Sequence, residues 1–175
     1  MRKVLYILGE LEDSDLQWIY DAGNARSLSP GSELIREGVH QESLYIVVDG
    51  ELAVRKGDVE LARLGAGEVV GDMSLLDKRP PSATVVPLGD AVVFEIPHSK
   101  LNSKLRSDPH FGTRFYRALC IFLANRLSRT DAMIGSGGRV SQETDELDEI
   151  SPDALGNVSL AGARFDWFLQ QVMGR

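Results

Sequence analysis

The run Leu44-Tyr45-Ile46-Val47-Val48-Asp49-Gly50-Glu51-Leu52-Ala53-Val54-Arg55-Lys56-Gly57-Asp58-Val59-Glu60-Leu61-Ala62-Arg63-Leu64 decides the fold. It holds three short apolar runs cut by two glycine-bearing turns, which is the pattern of short strands. Further runs lie outside it, at Glu33–Arg36, Thr84–Val86 and Val92–Ile96, with turns at Pro30-Gly31, Gly65 with Gly67, and Gly89-Asp90. Asp49-Gly50, between two alternating runs, predicts a type I′ hairpin, because both residues tolerate the positive φ it needs. Many short strands with regular turns predict a sandwich, jelly roll or barrel. A doubly wound α/β fold needs a helix between successive strands, and residues 29–70 leave no room for one.

Outside the strands the period changes to that of helices. Leu5, Leu8 and Leu11 fall at helical spacing, and Asp13 or Ser14 is placed to cap a second helix carrying Leu16, Ile19 and Tyr20. After Pro97 a short helix is predicted over Ser99–Arg106. Asp108-Pro109 then opens a long one reaching about Thr130, with Asp108 as cap. Its apolar face is Phe111, Phe115, Ala118, Leu119, Phe122, Leu123 and Leu127. Gly135-Ser136-Gly137-Gly138 reads as a flexible break. Ser141–Asp153, with six acids and no basic residue, reads as a solvated linker. Phe165, Phe168, Leu169 and Val172 then share one helical face, which wants a partner surface. The expected divisions are a helical segment 1–27, a β-roll 28–108, a long helix 109–134, an acidic linker 135–159 and an amphipathic segment 160–175.

The chain has 175 residues, 43% of them apolar, and a net charge of −7. That charge argues against nucleic acid and against an anionic membrane surface, both of which call for a basic face. No apolar run approaches a membrane span. The single cysteine, Cys120, fits a reducing cytosol, so a cytoplasmic protein is expected. It lies in an apolar string and is expected to be a buried small hydrophobe rather than a nucleophile. His40, His98 and His110 lack ligand spacing, so no metal site is expected and surface or capping roles are the default. Ser74 is not in a nucleophile elbow, and nothing supports catalysis.

The segment Gly65 to Val85 carries the chemistry. Three glycines precede a helix-compatible piece, Asp72–Leu76, and a strand resumes at Ala83. A glycine before a short helix lets an anion approach freed N–H groups, and Ser74 and Ser82 add hydroxyls. That is one reading, a phosphate cradle. The other is a β-turn joined to a capped helical turn, with Asp72 as its N-terminal acid. Gly65, Gly67 and Gly71 mimic a dinucleotide fingerprint, but the spacing is one residue too long and no βαβ unit surrounds them.

Several motifs in order resemble the cyclic-nucleotide-binding domain family of catabolite activators, protein kinase A regulatory subunits and gated channels. They are Pro30-Gly31-Ser32-Glu33-Leu34-Ile35-Arg36-Glu37-Gly38, Leu44 to Leu52, Leu64 to Gly71, Pro80, and Ser82-Ala83-Thr84-Val85. The resemblance covers residues 28–130. It implies an antiparallel double-stranded β-roll with flanking helices, and a cassette of Gly71, Asp72, Met73, Ser74, Pro81, Ser82 and Ala83 that wraps a ribose phosphate. It implies cAMP or cGMP as ligand and no cofactor. Two positions depart from the family pattern. Asp72 stands where the family has a glutamate that accepts from the ribose 2′-hydroxyl. Pro81 stands where the family has the arginine that pairs with the cyclic phosphate. Such a bond contributes roughly 1.5–3 kcal/mol, and about 1.4 kcal/mol is tenfold in affinity. Its loss takes a micromolar site towards millimolar. Arg79 is the candidate replacement cation, with Lys78 beside it.

Transcription factors of that family continue into a helix-turn-helix. Beyond Ile134 this chain carries seven acids against three arginines, so DNA binding is not expected. The expected function is a non-enzymatic regulatory module sensing a cyclic nucleotide or related anion with weakened affinity. The alternative is a degenerate roll acting as a protein-interaction or assembly module. The long helix 109–130 is expected to pair with its copy in a homodimer.

Overall fold

The structure, a computed structural model, describes residues 4–77, 79–135 and 152–174. Two helices, α1 (Val4–Glu10) and α2 (Asp13–Ala22), precede seven strands: β1 (Asn24–Leu28), β2 (Ser43–Asp49), β3 (Leu52–Lys56), β4 (Val59–Leu64), β5 (Val69–Val70), β6 (Thr84–Pro87) and β7 (Ala91–Pro97). A short helix, α3 (Asp72–Asp77), separates β5 from β6, and α4 (His98–Ser107), α5 (Pro109–Gly135) and α6 (Pro152–Met173) follow the strands. The strands form two antiparallel sheets, ordered β1-β7-β2-β5 and β4-β3-β6, with Ile35 bridged to Val85 at the edge of the second. The result is an antiparallel roll with flanking helices, as the resemblance implies.

The larger sheet is shared between two cores, and β2 shows why. Its side chains alternate. Leu44, Ile46 and Val48 join Phe94, Ile96 and the helices, while Tyr45 and Val47 join Leu28, Val70, Val85 and Val93 inside the roll. A strand buried on both faces reads as a continuous apolar run, which is how β2 reads.

Several expectations are corrected. Asp49-Gly50 is not a hairpin: β2 and β3 lie in different sheets, so the chain crosses between them there. Gly50 is required for a close crossing, since a Cβ there would lie 2.6 Å from the Asp90 carbonyl oxygen and 2.7 Å from Ala91 Cα. Instead, the hairpin of this region joins β3 to β4 through Gly57-Asp58. The run Glu33–Arg36 supplies a single bridge rather than a strand. Residues 24–27, placed in the helical segment 1–27, form with Leu28 a strand paired along its length with β7. The second helix is preceded by Glu12, whose backbone N–H donates to Asp15, rather than capped by Asp13 or Ser14. Asp108 caps α5 as expected, accepting from the Phe111 N–H at 3.0 Å.

On α5 the first half of the apolar face is covered within the chain: Phe111, Phe115, Ala118 and Leu119 are all buried. Cys120 is exposed, not buried, because one residue of helix rotates the side chain by about 100° away from Leu119. Helix α6 begins at Pro152, so residues 152–159 are helical rather than linker. It docks on α1, α2 and β1 of its own chain, burying Ala161, Phe165, Phe168 and Val172. The expected break 135–138 begins at Gly135, which instead ends α5; residues 136–138, and residues 141–151 of the acidic run 141–153, lie outside the described residues.

Candidate functional site

Strand β5 pairs with β2, Val70 opposite Tyr45, and this delivers Gly71 against the start of β2. Gly71 has φ +89°, and a Cβ there would run into the Ser43 carbonyl oxygen. Only glycine fits that turn. Helix α3 then begins at once, with the Leu75 N–H donating to the Gly71 carbonyl. Asp72, Ser74 and Leu75 turn inward, whereas Met73 and Leu76 are exposed at 56% and 43%. The Ser74 hydroxyl donates to the Arg79 carbonyl at 3.3 Å and so closes the cassette on itself. Ser82 is exposed, and Pro81 and Ala83 are half-buried. The opposite wall is the limb 34–38: Gly38 N–H donates to the Pro81 carbonyl at 2.9 Å and Glu37 N–H to Thr84 Oγ1 at 3.1 Å. A cavity of about 570 Å³ opens on that limb, lined by Gly31, Glu33, Leu34, Arg36, Val39 and Gln41.

The Ser74 bond joins α3 to Arg79, two residues ahead of Pro81, and the residues from Pro81 to Thr84 meet the limb, but among the described residues no cationic side chain turns inward with them. The Arg79 side chain is 82% exposed and paired with Asp77. Arg36, on the facing limb, reaches solvent in an ion pair with Glu33. Lys78 lies outside the described residues. Pro81 offers no charge and no N–H at the position nearest the limb.

Sequence reasoning missed a polar network at this end of the roll. Ser43 and Tyr45 hydroxyls both donate to Glu95 Oε1, at 2.9 and 3.3 Å, and Arg26 meets Glu95 Oε2 at 3.5 Å. Gln41 Nε2 donates to Tyr45 Oη at 2.9 Å, tying the limb to the sheet. Burial, with Glu95 second, pushes the Tyr45 hydroxyl above its usual pKa of 10.0. The signal available was alternation, which puts Ser43, Tyr45 and Val47 on one face of β2. His98 was missed as well. It is buried rather than on the surface, its ring lies beside the backbone of Gly71 and Gln41, and Nε2 has no hydrogen-bond partner among the described residues. Burial lowers its pKa from 6.5, and His40 adds to that; the Gly71 and Gln41 backbone and Glu42 pull the other way. Among the described residues, no three His, Cys, Asp or Glu side chains are grouped to hold a metal ion. No described helix is long and apolar enough to cross a membrane.

The structure thus defines a class of fold: a two-sheet antiparallel roll with a glycine-led helical turn between its fifth and sixth strands. Residues 25–108, just under half of the chain, match the family model of the cyclic nucleotide-binding domain. The chain is similar to a cAMP-dependent protein kinase regulatory subunit of Hypocrea atroviridis, 31% identical over 87 residues, which are 50% of this chain and 19% of that one. It is similar also to the cAMP-activated global transcriptional regulator CRP of Escherichia coli O6:H1, 28% identical over 162 residues, 85% of this chain and 75% of the relative. Among solved structures, the N-terminal domain of a transcriptional regulator from Streptomyces coelicolor A3(2) superposes with a TM-score of 0.61 at 27% identity, over 75% of this chain and 94% of that one.

Proposed function

We propose that this protein is a non-enzymatic cytoplasmic regulator whose cassette takes a cyclic nucleotide, cAMP or cGMP, or a related small anion, with affinity weakened at the phosphate. One observation carries the reading: Gly71 is locked against Ser43 while the Arg79 side chain points to solvent, and the resemblance implies that Pro81 stands at the arginine position. Shape is retained where charge is lost. Calorimetry with cAMP and cGMP is expected to give dissociation constants well above micromolar. Pro81→Arg is expected to tighten binding by about tenfold or more, the worth of one charge-assisted bond. Unchanged binding in that variant would remove the phosphate site from residue 81.

A second reading has its own support. Met73 and Leu76 on α3 and Val39 on the facing limb are large exposed apolar side chains around the cassette. They suit a degenerate roll that binds a protein rather than a nucleotide. Silence in calorimetry at millimolar nucleotide, for both the wild type and Pro81→Arg, selects it. In either reading a homodimer through α5 rests on what that helix leaves open, since Tyr116 and Cys120 are exposed one turn apart. Sedimentation at tens of micromolar tests it, and a strict monomer ends it. DNA binding is not proposed, given the net charge of −7 and the docking of α6 in its own chain.

A further inference from the structure

We propose that α6 is a strap that holds the turn leading into the cassette, acting through α1, with Arg164 as its catch. Helix α1 has seven residues, too few to stand alone in water. Both of its ends are held from outside. At the start, the Val4 N–H donates to the Gly67 carbonyl at 2.7 Å. At the end, Arg164 supplies the cap: Nη1 donates to the Leu8 and Leu11 carbonyls at 2.9 and 2.6 Å, while Nε and Nη2 hold Asp13 Oδ1 at 3.0 and 2.7 Å. Leu8 lies in the last turn of α1, where carbonyls lack an intrahelical donor, and Leu11 lies just beyond it, so the guanidinium caps the open end of the short helix. Ala161 and Phe165, on either side of Arg164, are buried, and the Arg164 side chain is 14% exposed.

Gly67 is the other end of the connection. Its N–H donates to the Val47 carbonyl at 2.8 Å, and the next residue, Glu68, accepts from the Val47 N–H at 2.9 Å. The turn is therefore clamped between the shared sheet and α1, four residues ahead of Gly71. Lifting α6 uncaps α1, and an uncapped α1 releases Gly67. Since coupling between two sites is reciprocal, a ligand that re-sets the cassette turn also changes how firmly α6 docks. This deepens the sensing reading, yet the mechanical link does not depend on which ligand the cassette takes.

The test is amide hydrogen exchange on the full chain with no nucleotide present, comparing the wild type with Arg164→Met. Exchange at residues 4–10 and 67–71 is expected to rise about tenfold or more, the share of one charge-assisted bond, while residues 52–64 of the β3–β4 hairpin keep their rates. Unchanged rates at 67–71 overturn the proposal. So does an equal rise across 52–64, which marks Arg164 as a general stabiliser. If Arg164→Met does not fold, Arg164→Lys decides by the same criterion, because an ammonium cannot span both carbonyls and Asp13 as the planar fork does. Since no nucleotide is used, failure here is separable from failure of the cassette to bind one.

Discussion

At the scale of single residues, Gly71 and His98 hold the cassette from two sides. Gly71→Ala forces a side chain into positive φ, at roughly 1–2 kcal/mol, and drives its Cβ into the Ser43 carbonyl. A fall in thermal midpoint is expected, and a loss below about 0.5 kcal/mol would mean the turn yields easily. His98 gives a pH dependence whose sign follows from its lowered pKa. Below about pH 6.5 the unfolded chain takes up the proton more readily than the folded one, so stability declines as pH falls through that value towards the folded pKa. His98→Phe is expected to flatten the urea midpoint between about pH 5 and 7 relative to wild type. An identical slope in both proteins assigns the dependence elsewhere. The tight turn at Gly71 was legible because backbone geometry is written in residue type. The Glu95 network was not: Glu95 is far along the chain from Ser43 and Tyr45 and meets them only through the register of β2 with β7.

Elements were legible where their own pattern decides them and obscure where a neighbour does. The all-apolar β2 announces itself. Strand β1, Asn24-Ala25-Arg26-Ser27-Leu28, is polar and exists because β7 offers it an edge. Asp49-Gly50 has hairpin chemistry, but its flanking strands need different sheets to bury Tyr45 and Val47 against Leu52. Helix α5 shows a comparable outcome, since its apolar face was readable but its cover was not. That cover is fixed by ion pairs. Arg114 grips Asp15 through two bonds of 2.8 and 3.1 Å, and the Asp15 side chain is only 3% exposed. Arg114→Met strands a buried carboxylate, and a loss of about 3–5 kcal/mol is expected in urea unfolding. The double variant Asp15→Asn with Arg114→Met is expected to recover part of it. Additive losses instead would show that the two side chains are not coupled.

For the molecule as a whole, the shared sheet is what makes helices and roll one cooperative body. Phe94 of β7 stacks edge-on with Phe168 of α6 at 4.9 Å, while Val93, its neighbour, faces into the roll. Strain or loss on the helical face therefore reaches the roll through one strand. Phe168→Ala is expected to cost about 3–5 kcal/mol, a large part of the 5–15 kcal/mol typical of a domain. At about 2–4 °C per kcal/mol for a chain of this size, its thermal midpoint is expected to fall by roughly 6–20 °C. The manner of unfolding is the sharper test. Both tryptophans, Trp18 and Trp167, pack against the helical core, whereas far-ultraviolet dichroism also reports the strands. If the shared sheet couples the cores, tryptophan fluorescence and dichroism give coincident transitions in wild type and in Phe168→Ala alike. A variant in which fluorescence melts first and the strands persist would show that the roll stands without its helices, and the sheet would then be a boundary between two bodies rather than the link that unites them.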